Sequence, residues 1–261
     1  TNYNIVLDSV NTNGVAFDDE HNFATIAVTG ANVTLVDTNG IVLGDSTTSG
    51  TFAVTATAGG DITDSGALNI TGAATFTAAA GQNITLDSNN TFSGTVAFAT
   101  PSGNLKNVEI TDTTTLNLAA LTLAQVASAG GNLTVTAGGA VTNDGTLVIP
   151  GVTTISASGQ DVTLNSANND FTGNVSITGK VVAVTDTNAI KLGASTISEN
   201  YTVTAGGAVT DHGTLLITGA TTINASGQNV TLDEAANNFI GAVGITGANV
   251  AVRDVGAIKL G

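Results

Sequence analysis

Cysteine, methionine and tryptophan do not occur in this 261-residue chain, and arginine and lysine together number only five. Without cysteine there are no disulfides and no thiolate metal sites. Five basic residues against 20 acidic ones leave a net charge of −15. That excludes the basic footprint needed to hold nucleic acid or an anionic membrane surface. No apolar run approaches the length that crosses a bilayer, so membrane insertion is not expected. Helix formers such as Glu, Lys, Arg and Gln are scarce. Aromatic residues make up 4% of the chain, and Phe is the only common ring. No signal peptide or initiator Met is present. The chain opens at Thr1 inside a repeat and stops at Gly261 at a repeat junction, which reads as a mature product or a fragment of a longer chain.

Val, Ile, Leu, Ala, Thr, Asn and Gly fill the remaining positions. Val, Ile and Thr favour strands, whereas Gly, Asn and Asp favour turns. The composition predicts an all-β protein with many short strands.

Internal repetition then fixes the architecture. Gly81-Gln-Asn-Ile-Thr-Leu-Asp87 returns as Gly159-Gln-Asp-Val-Thr-Leu-Asn165 and as Gly227-Gln-Asn-Val-Thr-Leu-Asp233. Val135-Thr-Ala-Gly-Gly-Ala-Val141 returns as Val203-Thr-Ala-Gly-Gly-Ala-Val209, and Ile190-Lys-Leu-Gly193 as Ile258-Lys-Leu-Gly261. One array spans 1–261. It divides into a partial module at 1–44 with an insertion at 9–21, a module at 45–131 with an insertion at 119–130, and modules at 132–193 and 194–261. The 119–130 run is expected to add a strand pair or a bulge.

Within a module, apolar residues recur in i, i+2 pairs such as Val230/Leu232 and Val250/Val252, cut by Gly or Asn turns. Each strand therefore points one face inward. About nine strands per module, three per turn, predict three turns of about 22–23 residues, the coil of a parallel β-helix. About 11 coils make a rod about 50 Å long at the spacing of paired strands. A stack of immunoglobulin-like sandwiches is the rival. A unit of about 68 residues is short for that fold, and no large aromatic other than Phe recurs.

Several polar groups are candidates for chemistry. Asn89-Asn90, Asn168-Asn169 and Asn237-Asn238 each precede Phe92, Phe171 or Phe239. They read as turns in which Asn tolerates left-handed backbone and Phe plugs a corner of the core. A glycan-binding groove built on them is the alternative. Asp37, Asp112, Asp186 and Asp254 recur after a strand and read as side chains capping turns, with calcium as the sharper reading. The Ala-Gly-Gly turns lack the second half of the nonapeptide calcium motif. Asp18, Asp19 and Glu20, followed by His21, form the densest polar cluster and lie in an insertion. They are weak candidates for a metal, because side chains alternate along an extended chain and adjacent residues converge poorly on one ion.

β-Helix enzymes that cleave acidic polysaccharides need converging carboxylates with Arg or Lys. Here Arg253 is the lone arginine, and Lys191 and Lys259 are repeat equivalents. No catalytic site and no cofactor is predicted. Thr-x-Thr runs would suggest an ice-binding face if their spacing held in every coil, which it does not.

The recurring series Thr-Val-Thr-Ala-Gly-Gly-Ala-Val, Gly-Gln-Asn-Val-Thr-Leu-Asp, Asn-Asn-x-Phe and Ile-Thr-Gly-Ala-Asn-Val resembles the repeats of bacterial surface proteins of the filamentous haemagglutinin type. The resemblance covers essentially the whole chain and involves the shaft of those proteins, not their secretion domain. It implies a right-handed parallel β-helix on the bacterial cell surface, exported by the two-partner route. It also implies work in adhesion, biofilm cohesion or delivery of a C-terminal effector. The expected role is a non-enzymatic extracellular shaft. Its expected partners are further coils or neighbouring copies, and host or matrix glycans or proteins. A carbohydrate-binding module working through the insertions is the alternative.

Overall fold

Alternating apolar and small polar residues cannot bury themselves in one short strand, so burial has to come from stacking one turn of chain on the next. The computed structural model describes residues 5–7, 23–126 and 129–261 and is a parallel β-solenoid of about 11 turns, with no helix among the described residues. One side carries a ladder of 13 strands, from Ile5–Leu7 through Val33–Asp37 to Lys259–Leu260. Successive partners are a whole turn apart: 19 residues from Val33 to Phe52, 22 from Phe52 to Ala74, and 25 from Leu116 to Val141.

Inward residues form one continuous core. In Val33–Asp37, Phe52–Ala56 and Ala74–Ala78 the first, third and fifth side chains are buried and the second and fourth are partly exposed. Phe52, Phe76 and Phe92 meet edge to face, with centroids 6.0 Å apart, and Phe98 stacks on Phe76. Such contacts add roughly 0.5–1.5 kcal/mol each beyond area burial.

Each turn has one long strand and two short ones, which run together only in Asn83–Phe92, where the two ends pair with Ile62–Asp64 and Leu68–Ile70, and the long strand changes sides. Long strands at Val33–Asp37, Phe52–Ala56, Ala74–Ala78 and Thr95–Ala99 stack on the first side. The next four, Asn107–Asp112, Leu133–Ala137, Thr153–Ser156 and Asn174–Gly179, stack on the opposite side. The long strand then returns to the first side with Val182–Asp186, Tyr201–Ala205, Thr221–Asn224 and Ala242–Thr246. Each change happens where two long strands follow in succession. Opposite a long strand the neighbouring turn lays two short ones: Asn174–Gly179 pairs with Ile190–Leu192 at one end and with Ser195–Ile197 at the other.

This arrangement corrects the three-turn module. From Leu133 to the residue before Tyr201 there are ten strands, not nine, and the path makes three and a half turns. The sequence-equivalent residues Leu133 and Tyr201 accordingly sit on opposite sides of the solenoid. Periodicity along the chain gives strand count only approximately: the tenth strand is Ser195–Ile197, which carries a single apolar residue and no i, i+2 pair.

The expected insertion at 9–21 lies outside the described residues, and of the 119–130 run Leu121–Thr122 belongs to the parallel ladder while the later part leaves it. Gln125–Val126 and Ala129–Gly130 pair antiparallel, the one antiparallel pairing among the described strands. Beside it, Thr100–Lys106 leaves the ladder as well, and the two excursions are joined where Leu105 bridges Leu123 and the Gly131 amide donates to the Lys106 carbonyl.

Candidate functional site

Corners are the first place to look for polar chemistry, since a solenoid that turns three times per coil exposes backbone amides at every bend. The Gly-Gln turn solves one corner locally. Gln82, Gln160 and Gln228 donate their amides to the carbonyls of Ala79, Ala157 and Ala225, and Gly81, Gly159 and Gly227 take φ of 78°, 73° and 75°. That left-handed third position of a turn favours glycine.

Buried Asx side chains solve the others across turns. Asn90, Asn169 and Asn237 are fully buried. Their side-chain oxygens accept the amides of Leu68, Leu147 and Leu215, 22 residues earlier in each case. The Asn90 and Asn237 side-chain nitrogens donate to Asp64 and Asp211, whereas in the middle copy the Asn143 nitrogen donates to the Asn169 oxygen and the Asn169 nitrogen donates to the Leu164 carbonyl. Asp64 in turn accepts the amides of Asp87 and Ser88, and Asp211 those of Asp233 and Glu234. Asn89 and Asn168 are exposed, and Asn238 is half-buried. Only one Asn of each pair therefore belongs to the internal network. The partners Asp64, Asn143 and Asp211 were not singled out from sequence. The signal was present, since Asn143 and Asp211 lie 68 residues apart at equivalent positions.

The four recurrent aspartates occupy a second kind of corner. Asp37, Asp112 and Asp186 each close the first long strand of a set, and Asp254 lies just past the short strand Val250–Val252. Their carboxylates accept the amides of Phe23, Phe92, Phe171 and Phe239 from the preceding turn, at 2.8, 3.5, 2.8 and 3.0 Å. Asp37, Asp112 and Asp186 also accept the amide two residues on, from Asn39, Thr114 and Asn188. The Asn-x-Phe turn and the recurrent Asp are thus two halves of one device. Burial raises the Asp64, Asp112 and Asp186 carboxyls above their ordinary range, against the lowering effect of these hydrogen bonds.

Asp18, Asp19 and Glu20 lie outside the described residues. Among the described residues, His, Asp and Glu nowhere gather in threes around a point that one metal ion could occupy.

Two surface features remain. A polar trough of about 370 Å³ runs along the outer face near the hairpin, lined by Asp61, Asn83, Asn107, Glu109, Asn132 and Thr134 among others. Its wall is an Asx spine: Asn83 donates to the Asp61 carboxylate at 3.2 Å, Asn107 to Asn83 at 2.8 Å, and the Asn132 amide to Asn107 at 3.1 Å. The other is the end formed by the last turn, an apolar hollow of about 440 Å³ lined by Val243, Ile245, Val250, Val252, Ile258 and Leu260.

A family of repeats of unknown function (DUF5649) matches the chain three times, at residues 30–99, 105–178 and 179–246. The chain belongs to this family. Each matched repeat begins just before the first of four long strands and ends at the fourth, so the family's unit is the set of long strands that share a side. The repeat boundaries at 99/105 and 178/179 are the two places where the long strand changes sides. No curated protein and no solved structure matches the chain.

Proposed function

We propose that this chain is the structural shaft of a secreted or surface-exposed bacterial adhesin or fibre, serving adhesion or biofilm cohesion without enzymatic activity. The observation that carries this reading is the parallel ladder of 13 strands among the described residues, with the buried polar side chains of the turns engaged by corner amides. A rod of this kind is stiff along its axis, because bending it separates several stacked ladders at once. The resemblance to filamentous haemagglutinin-type repeats supports the surface location, and self-association or addition of coils would lengthen the shaft. The test is immunogold labelling of the producing bacterium with antibodies to this chain. Label along extracellular fibres is expected, and label confined to the cell interior would overturn the proposal.

A second reading is carbohydrate binding by the polar trough beside the Gln125–Gly130 hairpin. Its Asx and Thr groups suit sugar hydroxyls, although the spine already uses most of their donors on itself. Binding on a glycan array that disappears when the hairpin is removed would support it. Binding that survives the removal, or no binding, would count against it.

A further inference from the structure

The last turn exposes side chains whose counterparts elsewhere are core. Val250 is 48% exposed, Ile258 38% and Leu260 81%. Val250-Ala-Val-Arg-Asp254 is equivalent to Val33-Thr-Leu-Val-Asp37, Val108-Glu-Ile-Thr-Asp112 and Val182-Ala-Val-Thr-Asp186, the opening long strands of the three matched repeats. It also sits on the side that the alternation requires, pairing with Val230–Leu232 opposite the long strands of the third repeat. Asp254 accepts the Phe239 amide as its counterparts do. Residues 250–261 therefore open a fourth set.

Strands of the next turn cover the three earlier openings. Val33 and Leu35 lie under Phe52 and Val54, Val108 and Ile110 under Leu133 and Val135, and Val182 and Val184 under Tyr201 and Val203. All three covering strands read large apolar, x, Val, Thr, Ala: Phe52–Ala56, Leu133–Ala137 and Tyr201–Ala205. The short strand that follows covers the second apolar pair, with Ile41 under Ile62, Leu116 under Val141 and Ile190 under Val209. Under this cover the equivalent side chains are at most 1% exposed.

We infer that the end face formed by Val250, Val252, Ile258 and Leu260 is a docking edge for one further parallel solenoid turn. That turn leads with a large apolar residue, x, Val, Thr, Ala and continues with a short strand of the Ile/Val-Thr-Asp/Asn type. An intact second copy does not supply it, because Phe52–Ala56, Leu133–Ala137 and Tyr201–Ala205 are each already paired on both sides. The inference deepens the shaft reading and rests on it, since it states the rule by which such a rod accepts its next coil.

The experiment extends the full chain. Gly261 is equivalent to Gly193, so a copy of residues 194–246 joined after Gly261 continues the pattern without a gap. The expected result is one cooperative unfolding transition at a higher temperature than the parent's, and new hydrogen-exchange protection of the amides of the parental residues 250–261. Tyr201→Asp and Val203→Asp, made in the graft alone, should abolish both changes, as should Val252→Asp in the parental part. A graft that hangs unfolded from a parent of unchanged stability overturns the inference. So does end-to-end pairing of the unextended chain in sedimentation that Leu260→Asp removes, because a second copy would then be the occupant. Neither result touches the shaft reading, which stands or falls on where the protein is found on the cell.

Discussion

Gly72 shows how little room a corner leaves. A Cβ there would lie 2.5 Å from the carbonyl carbon and oxygen of Gly50, and one at Gly94 would meet Gly72 in the same way. The obstacle is backbone of the neighbouring turn, which cannot swing aside as a side chain can. Gly72→Ala is expected to destabilise the rod by about 1–3 kcal/mol, the range of a forced overpacking, measured by chemical denaturation. Gly159→Ala is the milder comparison: nothing lies within 4 Å of its Cβ position, and its cost is limited to left-handed backbone, about 1 kcal/mol. Tyr201 gives a change of opposite sign. Its ring is fully buried and its hydroxyl has no hydrogen-bond partner. Tyr201→Phe removes an unsatisfied polar group and keeps the ring, so it is expected to be neutral or stabilising by up to about 1 kcal/mol. A loss of more than that would show that the hydroxyl has a partner in solution. Of these facts the sequence shows only that Gly and Tyr occupy repeat positions. Which atoms approach them depends on the turn stacked above or below.

At the scale of strands, the informative element is the pair of long strands in succession, Asn174–Gly179 and Val182–Asp186. It moves the long strand to the other side and makes the repeat a half-integral number of turns. Excising residues 133–200 removes ten strands and brings Tyr201 to the place of Leu133. The shortened chain is expected to fold, because Tyr201–Ala205 then covers Asn107–Asp112 with the same large-x-Val-x-Ala pattern. Its later strands would all change sides, and the rod would shorten by about 17 Å, three and a half strand spacings. Circular dichroism and small-angle scattering would check both points. An aggregated or unstructured product would mean that the sides are not interchangeable.

For the whole molecule, pH is the clearest lever. Folding raises the carboxyl pKa of Asp64, Asp112 and Asp186 through burial, from the ordinary 3.8. The folded chain therefore keeps protons that the unfolded chain has released. This contribution is fully present below the unfolded value and is lost as pH rises through the raised folded values. The melting temperature is accordingly expected to be higher near about pH 4.5 than at about pH 7, the reverse of ordinary acid denaturation. Relief of repulsion among the acids behind the net charge of −15 works in the same direction. Replacing Asp64, Asp112 and Asp186 together by Asn separates the two causes, since it flattens the part due to buried carboxyls. An unchanged pH slope in that variant would remove those three groups as its source.

The sequence by itself determined the fold class, the number of coils and the inward face of each strand. An i, i+2 apolar pair has only one way to be buried, and a repeat that cannot close its own core must stack. It also marked Asn90, Asn169, Asn237 and the four recurrent Asp as corner residues, since Asx side chains at repeated turns have backbone amides as their nearest partners. The tertiary structure alone decided which amides those are. The Asn237 oxygen meets Leu215 and the Asp186 carboxylate meets Phe171, pairings that exist only between turns. It alone decided that equivalent residues alternate sides. Sequence spacing measures distance along the chain, whereas the side a strand occupies depends on the summed length of every corner before it.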